Sequence, residues 1–266
     1  MNTALSRTRK IAYAAMFIGI FVIVNRLLGL VQPAPIFSFN RLGISTPLIL
    51  FASVFLGPGY GAIVGVAGDA IGWLLLGSWT GPFNVFLSIF YALLGILPWL
   101  AHRFLGKVLE KKYSLVAFVA TLSALFIGFL IALWASDWYD ACFTRWTVEP
   151  LIGKSVITAV SALTFSLTVV GVIWLGRKTK IGLHMGEIAW LAMIAEVVTV
   201  VLKPLAFYAY CWAFLGTDIS TAWGVSYGLL VIIAIIFSFT DIFITIAFLR
   251  LAMRASRSRE VRHEPR

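Results

Sequence analysis

The sequence predicts an all-α, polytopic membrane protein with about eight transmembrane helices. Of its 266 residues, 61% are hydrophobic and only 12% are charged, and the mean hydropathy is +0.98. A soluble domain carries roughly 25% charged residues. Eight apolar stretches, most of them close to the roughly 20 residues that cross a bilayer, give the number of spans.

The predicted spans follow one another along the chain. They cover about residues 10–31, 42–56, 58–77, 84–101, 114–135, 154–176, 186–209 and 223–252. The second is short and the last is long, and helix tilt or burial of one end within protein accommodates such mismatch. The boundary between the second and third spans falls at Gly57-Pro58-Gly59, a strong turn signal. One transmembrane domain is therefore expected over residues 1–253, followed by a basic tail at 254–266.

The distribution of positive charge predicts that both termini lie in the cytoplasm, as in a multi-pass plasma-membrane protein. With that orientation, sixteen of the 21 Lys and Arg residues fall in inner segments, as the positive-inside rule requires. This placement at helix ends excludes nucleic-acid binding as the explanation of the net charge of +10. The tail is expected to be disordered. The N-terminal apolar run lacks a small-x-small cleavage site, so we expect a retained first helix rather than a signal peptide.

A glycine-rich stretch in the third span is the most informative part of the chain. Gly61, Gly65, Gly68 and Gly72 recur at spacings of four, three and four, so on a helix they form one face, here called the glycine seam. Such a face lets other helices approach closely. Asp69 lies on the same seam, so its carboxylate is expected to point into the bundle. An acid within the membrane marks a function or a structural partner of another buried group, and both readings stay open.

Four further charged residues lie inside predicted spans and away from the span ends. Arg26 lies at a depth similar to that of Asp69, so we expect the two to pair or to face one outer cavity. Glu196 and Lys203 are seven residues apart, and so share one helix face, while Asp241 lies in the last span. Glu196 and Lys203 are either a structural pair or part of a site.

Three small residues and two loops add candidate surfaces. Ala12, Ala15 and Gly19 share one face of the first span and predict a helix-docking surface, for a helix of this chain or of another subunit. Residues 31–41 and 77–84 form aromatic outer loops that either cover a site or lie at the membrane interface.

Missing motifs limit the functions that are expected. The chain has no Gly-x-x-x-x-Gly-Lys-Ser/Thr loop, so we expect no ATP binding by this chain itself. It has no clustered metal-ligand motif and no Gly-x-Ser-x-Gly elbow, so neither a metal site nor an enzyme is expected. Cys142 and Cys211 lie near outward-facing helix ends, but a disulfide between them is not expected.

Residues 8–105 resemble the substrate-binding S component of energy-coupling factor (ECF) vitamin transporters, and the folate-type members most closely. The resemblance rests on an ordered set of stretches: RKIA (9–12), VNRLL (24–28), RLGISTPL (41–48), LGPGYGAIVG (56–65), GDAIG (68–72) and GPFN (81–84). It implies a small helical bundle that captures a vitamin or vitamin precursor from outside. It also implies docking onto a membrane coupling subunit with two ATPase subunits, which use the ATP.

The resemblance assigns roles to individual residues. It implies that Ala12, Ala15 and Gly19 form the docking face. It implies that the loop with Asn40 and Arg41 is a lid and that Arg26, Asp69 and Asn84 line the pocket. Trp79 lies in the second outer loop and is a further candidate, and Lys203, with Arg26 and Arg41, suits an anionic substrate such as a folate.

The chain departs from this family in its number of spans. Members typically have six spans, whereas this sequence predicts a six-helix core with an added hairpin at about 114–176. Two other functions stay open. One is a stand-alone secondary transporter in which Asp69, Glu196 or Asp241 couples ions, although no inverted repeat is visible. The other is an intramembrane enzyme or a non-transporting scaffold.

Overall fold

The computed structural model of the protein is helical throughout the part of the chain that it describes. The described residues are 6–30, 45–77, 83–109, 113–145, 148–177, 185–218 and 227–262. No residue in these ranges belongs to a β-strand. The all-α class predicted from composition is therefore confirmed.

Nine α-helices occupy the described ranges. They are α1 (Arg7–Leu30), α2 (Ser45–Leu56), α3 (Pro58–Gly72), α4 (Val85–Leu109), α5 (Ser114–Ala135), α6 (Asp137–Arg145), α7 (Pro150–Arg177), α8 (Met185–Tyr210) and α9 (Tyr227–Arg262). A π-helical turn continues α3 over Trp73–Gly77, and another continues α8 over Cys211–Leu215. A helix thus lies in each of the eight predicted spans.

Four of the described helices are long and apolar enough to cross a membrane. They are α5, α7, α8 with its π-helical turn, and the Leu230–Leu251 part of α9. Shorter apolar helices cover Ser45–Leu56 and Val85–Ala101. These lengths are consistent with a helical membrane protein. The count of eight crossings and the orientation of the termini stay predictions.

The main hydrophobic core lies where α1 to α4 meet α8 and α9. α3 packs against α1, α2 and α4, α4 packs against α8, and α8 packs against α9. Each of five of these helices contributes a fully buried large side chain, namely Phe21, Ile49, Leu94, Ile188 and Ile246. Of the predicted substrate-site residues, Arg26, Asp69 and Lys203 belong to helices that share this core.

The helices predicted as an added hairpin, α5 and α7, lie at the edge of the bundle. Only 17% of the residues in their most apolar windows are buried, against 50% in α8 and 53% in α9. α5 packs on α8, where the rings of Phe118 and Trp190 are 6.3 Å apart. α7 packs on α9, where the Thr168 hydroxyl donates to the Phe239 carbonyl oxygen at 2.6 Å. The outward faces of both helices are apolar, as expected of surfaces that contact lipid.

A short helix, α6, replaces part of what the sequence predicts as an outer loop. Asp137 and Asp140 lie in its first turn, where acidic side chains interact favourably with the helix dipole. Lys154 of α7 forms an ion pair with Asp140, with its ammonium nitrogen 2.6 Å from a carboxylate oxygen. The buried ring of Phe143 packs with Phe129 at the same place. The connection between α5 and α7 is thus folded onto the bundle.

The disorder expected of the tail after residue 253 is wrong for residues 254–262. α9 continues without interruption to Arg262. Arginine, which occupies four of these nine positions, is among the stronger helix formers, so the helix extends beyond its apolar part. Cys211, one of the two cysteines, is buried and carries a free thiol.

Candidate functional site

The glycine seam packs against three neighbouring helices, as its spacing predicts. A Cβ atom added at Gly61 would lie 2.7 Å from the Ser53 Cβ of α2, and one at Gly65 would lie 2.8 Å from the Tyr91 carbonyl oxygen of α4. At Gly68 the added atom would overlap the ring of Phe21 from α1. Real Cβ atoms essentially never approach other heavy atoms this closely. The prediction that the seam permits close helix packing is confirmed.

The contacts along the seam fix how α3 and α4 run past each other. Gly65 lies beside Tyr91, and a Cβ atom added at Gly95 would lie 2.5 Å from the carbonyl carbon of Gly61, four residues back along α3. The two helices are therefore antiparallel, and each step of four along α3 matches four residues back along α4. This register brings residue 69 next to residue 88 and residue 72 to the level of residue 84.

Asp69 points into the bundle and is hydrogen-bonded there. Its side chain is only 6% exposed. The Ser88 hydroxyl donates to the Asp69 Oδ2 atom at 2.6 Å, a length typical of a hydrogen bond to a carboxylate. Sequence reasoning missed Ser88. The signal that could have found it is the antiparallel register of the third and fourth spans, since a lone serine in an apolar helix carries no pattern of its own.

Asn84 directly precedes α4 and lies about one helical turn before Ser88. Its Oδ1 atom accepts a hydrogen bond from the Leu87 backbone N–H at 3.2 Å, so Asn84 caps the helix. Its Nδ2 atom is buried and has no hydrogen-bond partner among the described residues. Buried donors are almost always paired in folded proteins, with protein or with water. This amide is therefore a donor that a bound molecule can satisfy.

Aromatic rings lie at the same end of α3 and α4 and at the end of α8. The rings of Trp73 and Phe83 are 5.5 Å apart and packed edge to face. Phe86 of α4 contacts Phe214 at 6.2 Å, and Tyr210 contacts Phe214 at 5.5 Å. Apolar walls with a few directed polar groups are the usual composition of a small-molecule site.

The structure describes four of the predicted pocket residues only in part or not at all. Asn40, Arg41 and Trp79 lie outside the described residues. For Arg26 the structure gives the backbone of α1 alone. That residue comes five positions after Phe21, which contacts the Gly68 level, so the helix rise places it about 7 Å further towards the end that carries Asn84. This backbone position agrees with the depth predicted for Arg26.

Lys203 lies half-buried on α8, where its charge interacts favourably with that of Glu196. The negative charge of Asp241 on α9 repels that of Glu196. Both acids are buried, Glu196 being 2% and Asp241 7% exposed. The structure thus relates Glu196 both to Lys203 on its own helix and to Asp241 on α9. The spacing along one helix indicated only the relation to Lys203.

The small-residue face of α1 is left uncovered by the described part of the chain. Ala12, Ala15 and Gly19 are all exposed, and a Cβ atom added at Gly19 would have no heavy atom within 4 Å. α1 packs onto the bundle through its opposite face, with Phe17 and Phe21 buried. These residues are therefore exposed, and their role as a docking surface stays a prediction.

Comparison with known proteins gives no further constraint on the site. No protein-family model matches the chain, and no curated protein or solved structure matches it significantly. Within the described ranges, no three His, Cys, Asp or Glu side chains come together as a group that could hold a metal ion. The site is therefore interpreted from its own residues.

Proposed function

We propose that this chain is the membrane-embedded substrate-binding subunit of an ECF-type importer in the plasma membrane. It captures a vitamin or vitamin precursor from outside and delivers it inward together with a separate coupling subunit and two ATPase subunits. The observation that carries this proposal is the pairing of Asp69 with Ser88 on the glycine seam. One helical turn away lies the buried amide nitrogen of Asn84, which has no hydrogen-bond partner in the described part of the chain. These groups lie at the end of the bundle that the charge pattern places outside.

The chemistry of these groups narrows the class of substrate. The Asp69 carboxylate accepts hydrogen bonds, and the Asn84 amide nitrogen donates one. Trp73, Phe83 and Phe86 offer ring faces and edges nearby. A planar heteroaromatic ring with N–H donors and a neighbouring acceptor, as in a folate-like vitamin, fits this combination. An anionic tail would suit the positive charges of Arg26 and Arg41.

Docking onto a coupling subunit is supported by the uncovered face of α1. Replacing exposed Ala15 by Leu adds bulk to that face without touching the core. We expect Ala15→Leu to keep its thermal stability and ligand affinity but to reduce uptake in cells that contain the coupling module. Ala120→Leu, at an exposed alanine of α5, is the matched control and should leave uptake unchanged. Equal uptake by both variants would remove the docking role from this face.

The binding role is tested first by a ligand screen. The purified full-length protein is mixed with vitamins and their precursors, and ligands are detected by thermal shift and native mass spectrometry. A ligand that binds only the folded state raises the free energy of unfolding by about 2.7 kcal/mol at a hundredfold excess over its dissociation constant. At least one member of the panel should bind. A chain that binds none of them while its cells still take up the vitamin would contradict the proposal.

A second function, ion-coupled transport by this chain alone, is favoured by the buried acids Glu196 and Asp241. Acids in such positions often take part in ion pathways. Proteoliposomes that contain only this chain separate the two functions. Accumulation driven by an ion gradient would support the second, whereas accumulation that requires the coupling module and ATP would support the first.

A further inference from the structure

α1 and α9 both pack on α2 near the C-terminal end of α2. Phe17 of α1 and Phe248 of α9 each contact the ring of Phe51, with ring centroids 5.5 and 6.1 Å away. These two residues therefore lie at about the same level along the bundle. The rings of Tyr13 and Phe55 are 5.9 Å apart, so α1 and α2 run in opposite directions. The start of α1 thus lies beside the end of α2.

The C-terminal end of α9 lies at the same end of the bundle. The direction of each helix follows from its contacts with the next: α9 is parallel to α7, α7 antiparallel to α5, α5 parallel to α8, α8 antiparallel to α4, and α4 antiparallel to α3, which turns back from α2. The contacts are, in that order, Thr168 with Phe239 and Gly171 with Phe243, Phe126 with Phe165 and Trp134 with Thr158, Ser114 with Gly186 and Phe118 with Trp190, Phe86 with Phe214, and Gly65 with Tyr91 and Gly61 with Gly95. The last part of α9 therefore extends past the level of Phe51 on the side where α1 starts.

The turn between α2 and α3 is an open surface made of glycine. A Cβ atom added at Gly57 or at Gly59 would have no heavy atom within 4 Å. Gly57 comes six residues after Phe51, so the helix rise places it about 9 Å further towards this end of the bundle. Lys10 of α1 lies beside the turn, with its ammonium nitrogen 6.0 Å from the centre of the Tyr60 ring.

Cationic residues occupy both helices that flank this turn. Arg7 and Arg9 are exposed at the start of α1. Arg254 and Arg257 come six and nine residues after Phe248 in the continuous helix α9. The helix rise places them about 9 and 13 Å beyond the level of that ring. The position of Arg254 is thus level with the turn.

The open turn and the cations beside it are here called the cationic notch: Arg7, Arg9, Lys10, Gly57, Gly59, Arg254 and Arg257. The segments that form it, 6–20, 50–62 and 242–259, contain no Asp or Glu. Among the described residues, the other acids at this end are Glu187, buried in the first turn of α8, and Glu260 further along α9. These segments thus supply positive charge to the notch without a counter-charge of their own.

The notch lies at the depth of lipid headgroups. The apolar part of α9 ends at Leu251, and Arg254 follows three residues later, about 4.5 Å along the helix. The polar layer on each side of a bilayer is roughly 5–8 Å thick. The turn and Arg254 therefore fall within this layer. Lipid phosphates already occupy it, whereas a soluble partner would have to enter it.

We propose that the cationic notch binds the headgroup of an anionic phospholipid from the adjoining leaflet. Arginine and lysine side chains bind phosphate oxygens through charge-assisted hydrogen bonds. The glycines leave open space over the turn in which a phosphate can approach the backbone. Clusters of basic residues directly after a membrane-spanning helix are typical of binding to anionic lipid. This binding surface does not depend on the proposed vitamin function.

The test is native mass spectrometry of the full-length protein with phosphatidylglycerol and phosphatidylcholine of the same acyl chains. Phosphatidylglycerol should bind more tightly, and added sodium chloride should weaken its binding. It should also raise the melting temperature of the protein in detergent. Equal affinity for the two lipids would overturn the proposal. So would inorganic phosphate or a polyglutamate peptide that raises the melting temperature as much as phosphatidylglycerol does, since the notch would then take a soluble anion.

Glutamine variants separate a lipid site from a general effect of positive charge. Arg9→Gln and Arg254→Gln should each weaken phosphatidylglycerol binding about fivefold, and the double variant about 30-fold. Phosphatidylcholine binding should not change. Arg177→Gln is the matched control, because it removes an arginine at the same end of the bundle from α7, which packs on α5, α6 and α9. A double variant that binds phosphatidylglycerol like the wild type, or a control that loses as much affinity as Arg254→Gln, would refute the notch.

Discussion

Replacing Gly65 by alanine tests the packing on which the site depends. The new methyl group would lie 2.8 Å from the carbonyl oxygen of Tyr91, 3.1 Å from its carbonyl carbon and 3.0 Å from its Cβ atom. Two of these three atoms are backbone, so no side-chain rotation relieves the contact. α3 and α4 must separate instead. The carboxylate of Asp69 and the hydroxyl of Ser88 lie one turn further along the same interface.

The expected cost follows from two opposing contributions. Overpacking of a close interface costs about 1–3 kcal/mol. Alanine in a helix interior is favoured over glycine by about 0.5–1 kcal/mol. The Gly65→Ala variant should therefore be about 0–2.5 kcal/mol less stable than the wild type.

Gly128→Ala provides the matched control within the same chain. Gly128 lies inside α5, and a Cβ atom added there would have no heavy atom within 4 Å. This variant keeps the gain in helix propensity without the overpacking, so it should equal or exceed the stability of the wild type. Thermal unfolding in detergent, followed by circular dichroism, measures both, with a shift of about 2–4 °C for each kcal/mol. A Gly65→Ala variant that melts as high as Gly128→Ala would refute the close packing of the seam.

Two further predictions use the same thermal assay. Ser88→Ala removes a donor to the Asp69 carboxylate and should cost about 1.5–3 kcal/mol, whereas Ser155→Ala, at an exposed serine that bonds within its own helix, should stay within about 0.5 kcal/mol of wild type. Equal effects would show that the buried hydrogen bond contributes nothing. Gly57→Ala places a side chain at a φ of +109° and should cost about 1–3 kcal/mol, whereas Gly59→Ala has open space and an ordinary backbone. Equal melting temperatures of Gly57→Ala and Gly59→Ala would contradict the backbone conformation of the turn before α3.

The helix positions follow closely from the sequence because hydropathy decides them. The span predicted over 114–135 coincides with α5, Ser114–Ala135, since charged or polar residues border the apolar run on both sides. α6 was missed because a helix outside the apolar stretches has no such borders. The acids in its first turn are a weaker signal. The two π-helical turns have no known residue pattern that would predict them.

Only part of the candidate site could be predicted from the sequence. The spacing of the glycines gives the face of α3 that is packed, but it does not give the neighbours Phe21, Ser53 and Tyr91, because a period along one helix contains no information on its partner. Asp69 was predicted to face inward for the same reason that the glycines were. Its donor Ser88 depends on the register between two helices, and that register appears only when they are folded together.

The relation between Glu196 of α8 and Asp241 of α9 depends on the fold in the same way. Glu196 and Asp241 are 45 residues apart in the chain, so no helical period relates them. Sequence reasoning identified each as an intramembrane acid and related only Glu196 to Lys203. The packing of α8 on α9 adds Asp241 to that pair.

The binding of the vitamin identified by the screen to wild-type protein and to Asp69→Asn is the most direct test of the proposed function. The amide oxygen of asparagine can still accept the Ser88 hydrogen bond, so the variant should fold, but it cannot offer a charged acceptor to the ligand. Loss of one charge-assisted hydrogen bond of about 1.5–3 kcal/mol should weaken binding by roughly 10- to 150-fold. An Asp69→Asn variant that binds the vitamin as tightly as the wild type would contradict the assignment of this carboxylate to the substrate site.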